Sequence, residues 1–172
     1  MKKILFLCFP LFLLASGMRT ESELVSCYNS GKGDDSCGKE LAYLLKKEKN
    51  DLAAEIFLDL SLKGDVDATR ELGLYYIDPY TDKSVKDCQK GVIILLNAAD
   101  GRVNKKQSAL AYKELANLFK DGICLEKSEE KYKKYNDLYL EKAKEELRQK
   151  QVEQIETPET NESIENTTTI KN

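Results

Sequence analysis

Two stretches of the chain repeat one pattern of small and apolar residues at an offset of about 43–44 residues. Alanine and glycine recur where two helices would cross closely, and leucine and tyrosine supply the bulk between them. These packing positions are Gly64, Ala68, Leu72, Gly73, Tyr75, Gly91, Ala98 and Ala99 in the first copy, and Ala111, Leu115 and Gly122 in the second. A period of this length is typical of stacked helix pairs. The sequence therefore predicts an all-α fold, a short α-solenoid of antiparallel helix pairs.

The first copy resembles the Sel1-like repeat, a relative of the tetratricopeptide repeat. The spacing Gly-x3-Ala-x3-Leu-Gly-x-Tyr begins at Gly64, and Asp-x2-Lys begins at Asp87. The second copy departs from the pattern in a longer loop over 102–107 and around 127–134. The resemblance covers roughly residues 51–143 and implies a repeat domain, expected over residues 39–152, that binds a protein partner. It also implies a concrete role, because small exported Sel1-like proteins are found as immunity or antagonist proteins against periplasmic effectors.

Helix-capping and helix-breaking residues predict where the helices begin and end. Asp65 and either Ser84 or Asp87 can cap helix N-termini, and Gly64 can end the helix before Asp65. Asp78-Pro79 stops another helix. The remaining helices are predicted near residues 40–47, 51–63, 107–120 and 128–151.

The first residues read as a secretory signal peptide. Lys2 and Lys3 precede an apolar run over 4–14, and small residues at 15–17 offer a cleavage site before Met18. We therefore expect residues 1–17 to be removed, the mature chain to have no stable membrane span, and the protein to be periplasmic or secreted. Two alternatives stay open: a lipoprotein, although no cysteine follows the small residues, and translation from Met18.

The cysteines suggest disulfides in that compartment. Four lie outside the signal: Cys27, Cys37, Cys88 and Cys124. Three pairings are open, of which Cys27–Cys37 is favoured by proximity and Cys88–Cys124 by the expected stacking of neighbouring repeats. The chain has no histidine and no Cys-x2-Cys pair, so we expect no metal site and no cofactor.

The two ends of the mature chain are predicted to lack regular structure. Residues 18–38 are expected to form a cysteine-containing loop, and the polar residues 153–172 a disordered tail. Asn161 and Asn166 lie in Asn-x-Ser/Thr triplets of that tail, and whether Asn161 is glycosylated stays open.

The sequence lacks the features of several common classes of enzyme and of nucleic-acid-binding protein. The absence of histidine removes the commonest general base, and no phosphate-binding glycine loop is present. An acidic chain of formal charge −3 has no electrostatic footprint for nucleic acid. We expect a binding protein rather than an enzyme.

The open alternatives are a secreted factor that binds host or envelope proteins, and a β-lactam-binding or β-lactam-hydrolysing protein. The second is implied by cysteine-rich Sel1-like relatives and would use the Ser-x2-Lys spacing of Ser36 and Lys39. The predicted partner contacts are Tyr76, Tyr80, Tyr132 and Tyr135.

Overall fold

The computed structural model describes residues 19–30, 35–81, 86–103 and 105–156. Within these residues the chain forms seven α-helices and no strand. The helices are α1 (Glu21–Asn29), α2 (Asp35–Lys47), α3 (Leu52–Leu62), α4 (Val66–Ile77), α5 (Cys88–Ala99), α6 (Ala109–Asp121) and α7 (Glu129–Glu156). Each helix packs chiefly against the next one along the chain. The predicted all-α class is confirmed.

Side-chain caps begin most of these helices. Asp65, Asp87 and Ser108 each accept a hydrogen bond from a backbone N–H in the first turn of α4, α5 and α6. At the other end of α6, Gly122 takes φ 74°, a left-handed conformation that costs glycine little. Asp87 is thus the observed cap for α5, whereas Ser84 lies outside the described residues.

Residues 18–38 differ from the predicted loop, because they contain α1 and the beginning of α2. Thr20 and Glu23 form a capping box at the start of α1, which satisfies N–H groups that a short helix otherwise leaves open. Tertiary contacts then hold α1 in place. Leu24 is buried, and the Tyr28 hydroxyl donates to Asp59 of α3 at 3.0 Å.

The other end of the chain also differs, since α7 continues to Glu156 where a tail was predicted from residue 153. Glutamate, glutamine and lysine are good helix formers, and they dominate this stretch. Glu146 accepts a hydrogen bond from the first N–H of α6, that of Ala109, at 3.2 Å. The last ten residues of α7 therefore run about 15 Å beyond the start of α6. Asn161 and the rest of 157–172 lie outside the described residues, as does the predicted signal peptide.

The closest helix crossing joins α4 and α5 at two glycines. A Cβ on Gly91 would lie 2.7 Å from the carbonyl oxygen of Gly73 and 2.7 Å from a side-chain carbon of Ile77. Around this crossing, other positions of the repeated pattern are buried, namely Ala68, Leu72, Tyr75, Ala98, Ala99, Ala111 and Leu115. Gly64 (φ 90°) and Gly122 instead follow helix ends.

Two hydrophobic clusters fill the interior. The first, around Phe57 and Leu60, gathers side chains of α1 to α4, and the second, around Leu95 and Leu115, gathers side chains of α4 to α7. Charged contacts also place the even-numbered helices side by side: Lys46 of α2 reaches Glu71 of α4, and Arg70 of α4 lies 3.7 Å from Glu114 of α6.

Both favoured cysteine pairs come to disulfide distance. Cys27 and Cys37 join α1 to α2 with 6.0 Å between their Cα atoms. Cys88 and Cys124 join the start of α5 to the segment after α6, with a Cα–Cα distance of 5.1 Å. Among the described helices, none combines the length and apolar character that crossing a bilayer demands.

Candidate functional site

A groove of about 660 Å³ runs along α2. We call it the α2 groove. Its lining residues are Arg19, Leu24, Ser36, Lys39, Glu40, Tyr43, Leu44 and Lys47. Six of these eight recur every three or four residues on α2, so they share one face of that helix. Arg19 and Leu24 close the groove from the side of α1.

The floor of the groove is apolar. Leu24 is 4 % exposed, and Tyr43 and Leu44 are partly buried against the first hydrophobic cluster. The ring of Tyr43 meets Phe57 edge-on, with ring centroids 5.4 Å apart, a geometry that aromatic pairs prefer. The floor is therefore fixed from below by the core.

The position of α1 depends on its links to neighbouring helices. The Cys27–Cys37 disulfide ties α1 to α2, and the guanidinium of Arg19 donates to the sulfur of Cys37. Together with the Tyr28–Asp59 hydrogen bond, these contacts hold the α1 wall without any bound partner. The groove is thus formed in advance, which lowers the entropic cost of binding.

The rim carries three cations, Arg19, Lys39 and Lys47, and one carboxylate, that of Glu40, which lies 3.9 Å from Arg19. Lys47 is exposed and makes no ion pair or side-chain hydrogen bond with the described residues. Of the three rim cations, Lys47 is therefore the one without a carboxylate partner among the described residues.

Lys39 is the most constrained of these cations. Its ammonium donates to Asp65 and to Asp67, each at 3.0 Å. Burial works to lower the pKa of Lys39, but the hydrogen bonds and charges of the two aspartates outweigh it and raise the pKa. A lysine that abstracts a proton from a serine must be neutral. Ser36 and Lys39 do share one face at the start of α2, yet this lysine is held in its charged form.

Beside the groove, a buried carboxylate joins α2 to α4. Glu71 of α4 is 2 % exposed and accepts hydrogen bonds from Lys46, from Arg70 and, at 3.5 Å, from the hydroxyl of Tyr43. Burial and the negative charge of Glu71 raise the pKa of Tyr43. Because Arg70 also lies 3.7 Å from Glu114 of α6, the cluster connects α2, α4 and α6 through their charged side chains.

The four tyrosines predicted as partner contacts lie elsewhere, in two separate places. Lys90 lies over the ring of Tyr76, 3.9 Å from its centroid. Tyr80 packs edge-on against Tyr75 at 5.0 Å, and burial, followed by the charge of Glu71, raises its pKa. The Tyr80 hydroxyl is buried without a hydrogen-bond partner among the described residues.

The other two tyrosines belong to α7. Tyr135 stacks on Phe119 at 5.5 Å, and Lys120 lies 5.8 Å from the ring centroid of Tyr132. Nearby, burial and the neighbouring carboxylate of Asp100 raise the pKa of Tyr112 to about 12. The structure therefore does not gather the predicted contact tyrosines into one surface.

Of the residues that line the α2 groove, the sequence singles out Ser36 and Lys39, for the hydrolase alternative, but not Leu24, Tyr43, Leu44 or Lys47. One signal was available: Ser36, Lys39, Tyr43 and Lys47 follow a helical spacing. The α1 wall had no such signal, because residues 18–38 were predicted as a loop.

In the described ranges, no group of three or more His, Cys, Asp or Glu side chains is placed so that it could hold a metal ion. Comparison of the chain with protein-family models, with curated proteins and with solved structures found no match.

Proposed function

We propose that this chain is an exported helical-repeat protein that binds a protein partner through the α2 groove. The observation that carries the proposal is the preformed groove itself: an apolar floor, a cationic rim, and a wall tied by a disulfide. Binding sites in proteins combine a mostly apolar lining with a few polar groups that fix orientation.

Two further observations support the location and the architecture. Disulfides persist in oxidising compartments, so the Cys27–Cys37 and Cys88–Cys124 pairs favour a periplasmic or secreted protein. The even-numbered helices lie side by side, and this arrangement suits a Sel1-like solenoid whose first helices of each pair share one face.

A binding role is favoured over the Ser36 hydrolase alternative. Lys39 is paired with Asp65 and Asp67, and freeing it as a base would leave two carboxylates without their cation. The groove is also open along α2 and does not enclose a reacting bond. Its chemistry suits recognition of a surface segment.

In its most concrete form, the proposed partner is an antibacterial effector that acts in the periplasm, and this chain is its immunity or antagonist protein. That role comes from the resemblance to small exported Sel1-like proteins. A groove about 16 Å long, spanning Ser36 to Lys47 on α2, can hold a segment at the edge of an effector's active-site cleft.

The test compares three chains that begin at Met18: wild type, Lys47→Glu, and the matched reversal Lys150→Glu on α7. Each is crosslinked in the periplasmic and secreted fractions, and captured proteins are identified by mass spectrometry. We expect one partner captured by wild type and Lys150→Glu and lost with Lys47→Glu. The partner's identity separates an effector from an envelope or host protein. If wild type, Lys47→Glu and Lys150→Glu all capture the same partner equally, the α2 groove is not the binding site.

A further inference from the structure

The apolar floor of the α2 groove calls for an apolar side chain in its occupant. Leu24, Tyr43 and Leu44 converge there from two helices, and they leave a cavity of about 660 Å³. Of these three side chains only Tyr43 carries a polar group, a hydroxyl that donates to Glu71 at 3.5 Å. A bulky aliphatic or aromatic group is the occupant that removes most apolar surface from water.

The cations at the rim favour a negatively charged group in the occupant, next to its apolar side chain. Lys39 is already compensated by Asp65 and Asp67, so it offers little to a ligand. Lys47 has no partner among the described residues, and the Arg19–Glu40 pair is long and half-exposed, at 3.9 Å with side chains 45 % and 50 % exposed. Lys47 is thus available to a carboxylate, and Arg19, which also donates to the sulfur of Cys37, can exchange its long contact with Glu40 for a second one.

We infer that the groove recognises an acidic peptide segment that carries one bulky apolar side chain between its carboxylates. This inference rests on the proposed function and specifies the chemistry of its partner. The groove face of α2 runs about 16 Å from Ser36 to Lys47, which matches roughly five residues of extended chain. The anchor fills the floor, and flanking carboxylates meet Arg19 and Lys47.

The α1 wall makes recognition depend on one of the two disulfides. Arg19 and Leu24 belong to the segment that Cys27 holds against α2, so loss of the Cys27–Cys37 bond releases both the cation and the apolar wall. The Cys88–Cys124 bond lies between α5 and the segment after α6, away from the groove. Replacing each pair with serine gives matched variants.

The experiment is a selection of random dodecapeptides displayed on phage against the chain beginning at Met18, with both disulfides formed. Parallel selections use Lys47→Glu and Lys150→Glu, and the enriched peptides are then measured by fluorescence anisotropy. We expect a pool rich in Asp and Glu around a single Leu, Ile, Phe or Trp. Lys47→Glu is expected to weaken binding tenfold or more, Lys150→Glu to change it less than twofold, and the Cys27/Cys37 double serine variant to weaken it more than the Cys88/Cys124 one.

The outcomes separate this inference from the proposed function. A basic or uncharged pool that still requires Lys47 overturns the acidic assignment and leaves the groove as a protein-binding site. A pool bound equally by Lys47→Glu, or no enriched pool, overturns both. Tighter peptide binding by a chain that ends at Glu156 identifies the segment 157–172 as the occupant and overturns an external partner.

Discussion

Replacement of Gly91 by alanine tests the close crossing of α4 and α5 directly. The new methyl carbon would lie 2.7 Å from the carbonyl oxygen of Gly73 and 3.2 Å from the backbone nitrogen of Ile77. Both are backbone atoms, so no rotamer change relieves the contact. One helix must move away from the other, and Leu95 and Ala98, both fully buried in α5, move with it.

The expected magnitude is a balance of two effects. Overpacking a well-packed contact costs about 1–3 kcal/mol, whereas alanine in place of glycine inside a helix returns about 0.5–1 kcal/mol. The clash wins because it involves backbone, and we expect Gly91→Ala to lose roughly 1–2 kcal/mol of unfolding free energy. For a domain of this size that corresponds to a melting temperature lower by roughly 3–10 °C.

The assay is thermal and urea unfolding followed by circular dichroism, with Gly38→Ala as the matched control. A Cβ on Gly38 would lie 3.0 Å from the ring edge of Tyr28 and 3.5 Å from Leu60. These are side chains that can give way, so the control should stay within about 1 kcal/mol of wild type. If Gly91→Ala melts at or above the wild-type temperature, or no lower than Gly38→Ala, the close crossing is wrong.

Three further perturbations have expected outcomes. Replacing Cys88 and Cys124 by alanine opens a loop with a sequence separation of 36 and should lose about 3–4 kcal/mol in urea unfolding; an unchanged midpoint contradicts the bond. The pKa of Tyr112 is raised from the usual 10 to about 12. The protonated hydroxyl therefore stabilises the fold fully below pH 10, and roughly 2–3 kcal/mol of unfolding free energy is lost as the pH rises towards 12. Tyr112→Phe should abolish this pH-dependent loss. Arg70→Met leaves the buried carboxylate beside it short of a cation and should cost about 3 kcal/mol, against less than 0.5 kcal/mol for the exposed Lys47→Met; equal losses refute the cluster.

Local signals predicted the helices because they act within a few residues. Asp65 and Asp87 cap the helices that follow them, as their side chains can do in any context that leaves first-turn N–H groups open. The α1 helix was not predicted, because its nine residues are too few to form a stable helix without tertiary contacts. Leu24 and the Tyr28–Asp59 hydrogen bond supply those contacts, and neither can be read from sequence.

The candidate site was harder to predict than the fold, because its two walls come from different helices. The spacing of Tyr43 and Lys47 on α2 marks a face, but the crossing of α1 decides that this face borders a cavity. The predicted tyrosines illustrate the same limit. Tyr76 lies against Lys90 and Tyr135 against Phe119, so each is engaged inside the chain by a neighbour that the sequence does not reveal.

A comparison of the two copies of the repeated pattern indicates that the α2 groove is not a surface left open for the stacking of a further repeat. In the first copy, Leu74 and Ile77 contribute to the second hydrophobic cluster; about 43 residues later, Asn117 and Lys120 hold the corresponding positions. Lys120 is exposed, as the polar outer face of a terminal repeat would be in the proposed solenoid. At the other end of the described helices, α1 covers the first hydrophobic cluster. Because α1 already covers this cluster, recognition of a partner is the use that the geometry of the apolar floor beside α2 favours.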